Sequence, residues 1–212
     1  MSGEQYDSDY FLRGKLTGKS LYVDYHWMPE LTVPMVQRIM EHLGIISGES
    51  ILDFGCARGY TVKALRILGQ NAYGIDISKW AIDNADENTK PYLTWTLGSV
   101  HSQYDWIIAK DVLEHIPYVH LTINELISSA NKGLFVVVPL SPFNGAHYVI
   151  EDYEKDITHC QRHTLLAWAS MFLRPGWSVE MSYRVPGVKD NWATKPEWAK
   201  GNGFLTVRRI AE

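Results

Sequence analysis

Residues 51–60, ILDFGCARGY, place an acid two positions before a glycine and a second glycine four positions further on. An apolar pair, Ile51 and Leu52, leads into Asp53. Gly55, Cys56, Ala57, Arg58 and Gly59 make a turn, and helix-forming residues (Val62, Lys63, Ala64, Leu65) follow. The pattern is that of a buried strand, a tight turn and a helix N-terminus. Glycine tolerates positive φ and lets a ligand approach the backbone closely. The helix N-terminus offers N–H groups without intrahelical partners to that ligand.

Several nucleotides suit a strand, glycine loop and helix, so the spacing must choose. A dinucleotide site uses G-x-G-x-x-G and a P-loop uses G-x-x-x-x-G-K-[ST]. This loop has only G-x-x-x-G. The charge of Asp53 would oppose a pyrophosphate at short range. It would favour a cation instead, an ammonium or a sulfonium. The loop therefore points away from NAD and ATP and toward S-adenosylmethionine.

Two further strings extend the pattern. Tyr73-Gly74-Ile75-Asp76 ends a second apolar strand on an acid, and Tyr104-Asp105-Trp106-Ile107-Ile108 runs into Asp111-Val112-Leu113-Glu114-His115-Ile116. With D-x-G-x-x-x-G they resemble the class I S-adenosylmethionine-dependent methyltransferases, in particular their small-molecule branch. The resemblance spans roughly residues 30 to 210 and is specific over residues 51–117. It implies a Rossmann-like three-layer α/β sandwich: a seven-stranded, mostly parallel sheet of order 3-2-1-4-5-7-6 with an antiparallel last strand.

The resemblance also implies cofactor contacts. The first loop supplies Asp53, Phe54, Gly55, Cys56, Ala57, Gly59 and Tyr60, and the end of strand two supplies Asp76 and Ile77. Asp76 matches the acid that accepts both ribose hydroxyls. The alternative, a surface acid capping the next helix, is weaker because Asp76 ends an apolar strand and Ser78 is the better cap. Ser99 and Val100 stand at the adenine. Many relatives carry an acid at the Ser99 position, so this chain departs from the pattern there. Lys110 and His115 complete the set.

Methyl transfer from a sulfonium is an in-line displacement, and positioning alone contributes up to ~7–11 kcal/mol. A hydroxyl acceptor also needs a base, and histidine has the natural pKa for it. His159, His115 and His163 are the candidates, with Asp111 and Glu114 as orienters. Packing or a backbone hydrogen bond is the competing role for each, above all for His163. No metal is expected. The alternative set is Asp111, Glu114, His115 and His159, since similar E-x-x-E-H sets bind a divalent cation in quinone-biosynthesis and small-RNA 2′-O-methyltransferases. Here the first acid is the shorter Asp. Mixed carboxylate and imidazole ligation would suit Mg²⁺, Mn²⁺ or Zn²⁺.

The elements that must position these groups follow in order. Residues 1–29 read as an irregular, aromatic-rich arm, either a lid over the substrate or a plain appendage; residues 30–212 read as one domain. Residues 29–43 form a helix whose stripe is Leu31, Met35, Ile39 and Leu43. Strands are expected at 50–54, 72–77, 91–97, 104–109, 134–138, 177–184 and 204–210. Helices are expected at 59–68, 79–86, 118–130 and 165–173, the last with Leu165, Leu166, Ala169 and Phe172 inward. Residues 140–162 lack periodicity, and their place after strand five makes them the candidate acceptor wall. Asp156-Ile157-Thr158-His159 before His163-Thr164 resembles a recurring D-x-x-H element of the same branch.

The 212 residues carry a formal charge of −4, so no global basic field marks a nucleic-acid partner. Two cysteines, Cys56 and Cys160, suggest no disulfide, and with a polar N-terminus they suit a reducing, cytoplasmic setting. No apolar run approaches membrane-spanning length. The function these readings predict is methyl transfer to a small-molecule or sugar acceptor, O or N, with S-adenosylhomocysteine as product. The rivals are an RNA-modifying or metal-assisted O-methyltransferase, a non-catalytic cofactor-binding partner protein, and an NAD-dependent oxidoreductase, which the missing G-x-G-x-x-G disfavours.

Overall fold

The computed structural model describes residues 3–96, 100 and 102–210. The adenine-side expectation at Ser99 lies outside them. The strands are β1 (Ser50–Phe54), β2 (Asn71–Asp76), β3 (Leu93–Trp95), β4 (Tyr104–Lys110), β5 (Ala130–Pro139), β6 (Trp177–Ser182) and β7 (Asn202–Arg209). They form one sheet of order β3-β2-β1-β4-β5-β7-β6. The first five strands pair in parallel, whereas β7 runs antiparallel to both β5 and β6. The expected topology is the observed one.

Alternation along the strands makes the three layers. In β5, Phe135 and Val137 point to one face and Leu134, Val136 and Val138 to the other. The first face is covered by α3 (Pro29–Leu43), through Val36, Ile39 and Leu43, and by α4 (Tyr60–Ile67), through Val62, Ala64 and Leu65. The second is covered by α6 (Val119–Ser129) and α7 (Leu165–Ser170). β5 is buried on both sides, which explains its near-continuous apolar run.

Several expectations need correction. β3 is shorter than 91–97, because Pro91 lacks an N–H and starts a 3-10 turn over Lys90–Tyr92. Helix α5 (Lys79–Asp83) stops before Asp86, where the Asn84 side chain turns back to the Trp80 carbonyl at 2.8 Å. Along α7 and the turn that follows it, the buried stripe is Leu165, Trp168, Ala169 and Phe172, and Leu166 is exposed. That stripe follows i, i+3, i+4, i+7, and the adjacent position faces away. Leu31 is likewise exposed, at the start of α3.

The N-terminal arm is not irregular throughout. It holds two short helices, α1 (Ser8–Leu12) and α2 (Gly14–Thr17), and the Asp7 carboxylate caps α1 by accepting from the Tyr10 N–H at 3.0 Å. Tyr10 and Phe11 are buried against Ala81, with Tyr6, Tyr22, Tyr25 and Trp80 around them. Phe11 stacks on Trp80 with ring centroids 5.5 Å apart. Aromatic burial thus holds the arm to the body.

Candidate active site

The turn after β1 is closed by its own backbone. The N–H groups of Gly55 and Cys56 both donate to the Ile75 carbonyl, at 2.9 and 3.1 Å, and the Gly59 N–H donates to the Cys56 carbonyl at 2.8 Å. Gly55 sits at φ 80°, and a Cβ there would lie 2.4 Å from the Val112 side chain. Only glycine meets both conditions. Ala57 also has positive φ, 49°, and its N–H donates to Asp76 Oδ2 at 2.7 Å.

Asp53 is 4 % exposed. Burial raises its carboxyl pKa to about 7; the Lys110 ammonium works against the rise and the Asp76 charge adds to it. Asp76, at the end of β2, accepts the Ser78 N–H on Oδ1 at 2.6 Å and the Ala57 N–H on Oδ2. Burial pushes its carboxyl up as well, against the backbone N–H groups of Ser78, Ala57 and Ile77. The two oxygens offer about four lone-pair sites, so acceptor capacity remains beyond the three backbone donors. Ser78 caps α5, accepting from the Ala81 N–H at 3.0 Å.

A cavity of about 1040 Å³ opens over these groups. Of the residues expected at the cofactor, Asp53, Phe54, Gly55, Ala57, Tyr60, Asp76, Ile77, Lys110 and His115 all line it. Cys56 is buried behind the loop with its thiol toward the Ala57 carbonyl. Gly59 and Val100 also lie off the cavity wall; Val100 donates its N–H to Glu125. Tyr6, Tyr10, Phe11, Tyr22 and Tyr25 from the arm also line it.

Beyond β4 lies a second group. Asp111 holds a left-handed φ of 55°, uncommon outside glycine. Lys110 donates to its Oδ2 at 2.6 Å and Lys189 to its Oδ1 at 2.7 Å. Burial works to raise the Asp111 carboxyl, but the two ammonium groups outweigh it and hold the acid well below the usual range. Lys189 reaches the site from the connection between β6 and β7 and lines the cavity. Glu114 is fully buried, and burial with the charge of Asp111 drives its carboxyl well above the usual range.

His115 and His159 both line the cavity, with ring centroids 4.6 Å apart. Burial, reinforced by His159, lowers His115 to about 4, and burial lowers His159 too. His163 is not brought to the cavity. Its Nε2 contacts Gln161 Oε1 at 2.9 Å, and its ring sits edge-on to Trp168. Glu114, His115 and His159 offer ligand atoms within 4.8 Å of one another, a set able to hold a metal ion. Glu114 Oε2 and His159 Nδ1 are buried without a hydrogen-bond partner among the described residues. Asp111, the fourth member of the expected metal set, is turned to the lysines instead.

Reading the sequence alone missed Lys189, Tyr10 and Thr158 as site residues. Asp156 stood out only as the first residue of the D-x-x-H string. Lys189 lies in a polar connection with no motif, and only the fold brings it to Asp111.

The methyltransferase-domain family matches residues 26–181. The chain belongs to that family, and its sheet order places it among the class I, S-adenosylmethionine-dependent methyltransferases. No curated protein matches it. Among solved structures, it resembles the [4+2]-cyclase SpnF at 15% identity and TM-score 0.67, over 99% of this chain and 95% of that one. A chain of the Haloferax volcanii complex of the Trm112 methyltransferase activator matches at 16% identity and TM-score 0.65, over 87% and 92%. Magnesium protoporphyrin IX methyltransferase (ChlM) from Synechocystis PCC 6803, with bound S-adenosylmethionine, matches at 18% identity and TM-score 0.58, over 84% and 79%. At these identities the likeness is one of fold. No helix among the described residues is long and apolar enough to cross a membrane.

Proposed function

We propose that this chain transfers a methyl group from S-adenosylmethionine to an oxygen or nitrogen of a small-molecule or sugar acceptor. The observation that carries the reading is the paired acid cradle: Asp53 and Asp76 line one cavity, joined by the glycine loop whose Ala57 N–H is anchored on Asp76. The residues fit the cofactor. Asp76 keeps acceptor capacity for the ribose, Gly55 admits close approach, and Asp53 suits the ammonium or sulfonium. S-adenosylmethionine, when bound, supplies an electrophilic methyl group on a charged sulfur. The chain's own contribution is positioning, worth up to ~7–11 kcal/mol.

The acceptor class is supported by what surrounds the cavity. Drug-sized ligands occupy pockets of roughly 300–1,000 Å³, so a cavity of about 1040 Å³ has room for more than the cofactor. The arm encloses it with aromatic side chains. Its two lysines, Lys110 and Lys189, are both tied to Asp111, which leaves no row of cations for a phosphate backbone. Calorimetry with S-adenosylhomocysteine tests the cradle. A charge-assisted hydrogen bond contributes about 1.5–3 kcal/mol, so Asp76→Ala should weaken binding by roughly ten- to a hundredfold or more. Equal affinity in that variant overturns the ribose assignment.

A metal-assisted O-methyl transfer is a second reading, favoured by the convergence of Glu114, His115 and His159 and by the two orphaned atoms among them. A divalent cation there would supply Lewis-acid activation of an acceptor hydroxyl. Turnover unchanged by EDTA, with no metal in elemental analysis of the purified protein, rules this reading out.

A further inference from the structure

Four side chains from three parts of the chain form one hydrogen-bonded series beside the cavity. Asp156 is buried. Its Oδ2 accepts the Tyr10 hydroxyl at 2.7 Å. Its Oδ1 accepts the Thr158 N–H at 2.9 Å and lies 2.5 Å from Thr158 Oγ1. Thr158 Oγ1 in turn lies 2.7 Å from His115 Nδ1.

The donor directions follow from counting hydrogens. An ionised carboxylate only accepts, so the single hydroxyl hydrogen of Thr158 goes to Asp156. Thr158 Oγ1 then has lone pairs alone to offer His115, and Nδ1 must carry the proton. The Tyr6 hydroxyl also hydrogen bonds Thr158. A neutral imidazole bears one N–H, so His115 Nε2 is a bare lone pair. The ring lines the cavity. The Tyr6 ring meets His115 edge-on, with centroids 5.9 Å apart, which restricts its rotation.

We propose that Tyr10, Asp156 and Thr158 are positioning residues that lock His115 as its Nδ1–H tautomer, so that Nε2 receives the hydrogen-bond donor of the methyl acceptor, an O–H or N–H group. The identity of that donor rests on the methyltransferase reading; the tautomer does not. The series also gives the arm a function beyond cover. Tyr6 and Tyr10 reach His115 through Thr158 and Asp156, so a displaced arm leaves the histidine without its orientation.

The test is histidine ¹⁵N NMR on the full-length protein with S-adenosylhomocysteine and EDTA present. In the wild type, His115 should show a protonated Nδ1 and an unprotonated Nε2. Thr158→Val removes the acceptor and should give a mixed or inverted tautomer, and Thr158→Ser should restore the original one. Asp156→Asn gives an independent comparison. Its amide can donate to Thr158 and free the hydroxyl hydrogen for Nδ1, so the tautomer should invert. An Nε2–H tautomer in the wild type overturns the proposal, and so does an unchanged tautomer in both Thr158→Val and Asp156→Asn. Calorimetry on the same samples separates the two ideas. Wild-type protein that fails to bind S-adenosylhomocysteine sinks the methyltransferase reading and leaves the tautomer result standing.

Discussion

The two halves of the cavity are built differently. The half proposed for the cofactor comes from neighbouring strand ends and is held mainly by backbone: Gly55 and Cys56 on the Ile75 carbonyl, and Ala57 and Ser78 on Asp76. The half proposed for the acceptor is held by side chains that arrive from far apart. Tyr10 and Asp156 are 146 positions apart, and Lys189 and Asp111 are 78 apart. Backbone hydrogen bonds tolerate many side-chain changes. A buried side-chain network does not, because removing one member strands its partner. The first half can thus be shared across a family while the second is free to differ between acceptors.

The contrast can be broken most directly at Gly55. An alanine there meets Val112 and must hold a left-handed φ. Strain of about 1–2 kcal/mol and overpacking of about 1–3 kcal/mol add to a loss of roughly 2–5 kcal/mol, read by urea unfolding. A full-strength Gly55→Ala protein with undiminished cofactor affinity would show that the turn is not under backbone control.

Next in size is the network side. Tyr10→Phe removes one hydrogen bond to a buried carboxylate and should cost about 1.5–3 kcal/mol in the same assay. A loss below about 0.5 kcal/mol, the range of ordinary surface changes, would mean the arm is not anchored through Asp156.

Asp53 gives a smaller effect with a definite sign. Its folded-state pKa, about 7, lies above the ordinary carboxylate value. The folded protein therefore binds the proton more tightly, and this group's contribution to stability falls as pH rises from about 4 to 7. A cationic ligand prefers the ionised form. Affinity for S-adenosylhomocysteine, which keeps the ammonium, should be about tenfold weaker at pH 6 than at pH 8. Asp53→Asn should flatten that dependence, and an unaltered slope in the variant would place the titration elsewhere. The smallest effect belongs to His163. His163→Asn should leave S-adenosylhomocysteine affinity within about twofold of wild type, because the ring lies off the cavity. A larger change would draw it back into the site.

What could be read from the order of residues was local or periodic. The strand, glycine turn and helix at 51–60, the acid ending β2 and the alternation of the strands each follow from neighbours along the chain. Sheet order came from the likeness of those strings to a family. Helix ends were less legible, since caps such as Asn84 act through single side chains. Leu166 shows the same limit: periodicity marks an apolar position without saying which way it points.

The chain's order alone determined the glycine turn and the acids at the strand ends, because strand ends and their turns carry their geometry with them. Only the tertiary structure decided the rest: Lys189 on Asp111, the arm's aromatic rings along the cavity, and Asp111 paired with two lysines instead of joining Glu114, His115 and His159. Those contacts are set by which buried polar atoms find partners once the sheet closes, and no short stretch of sequence holds that information.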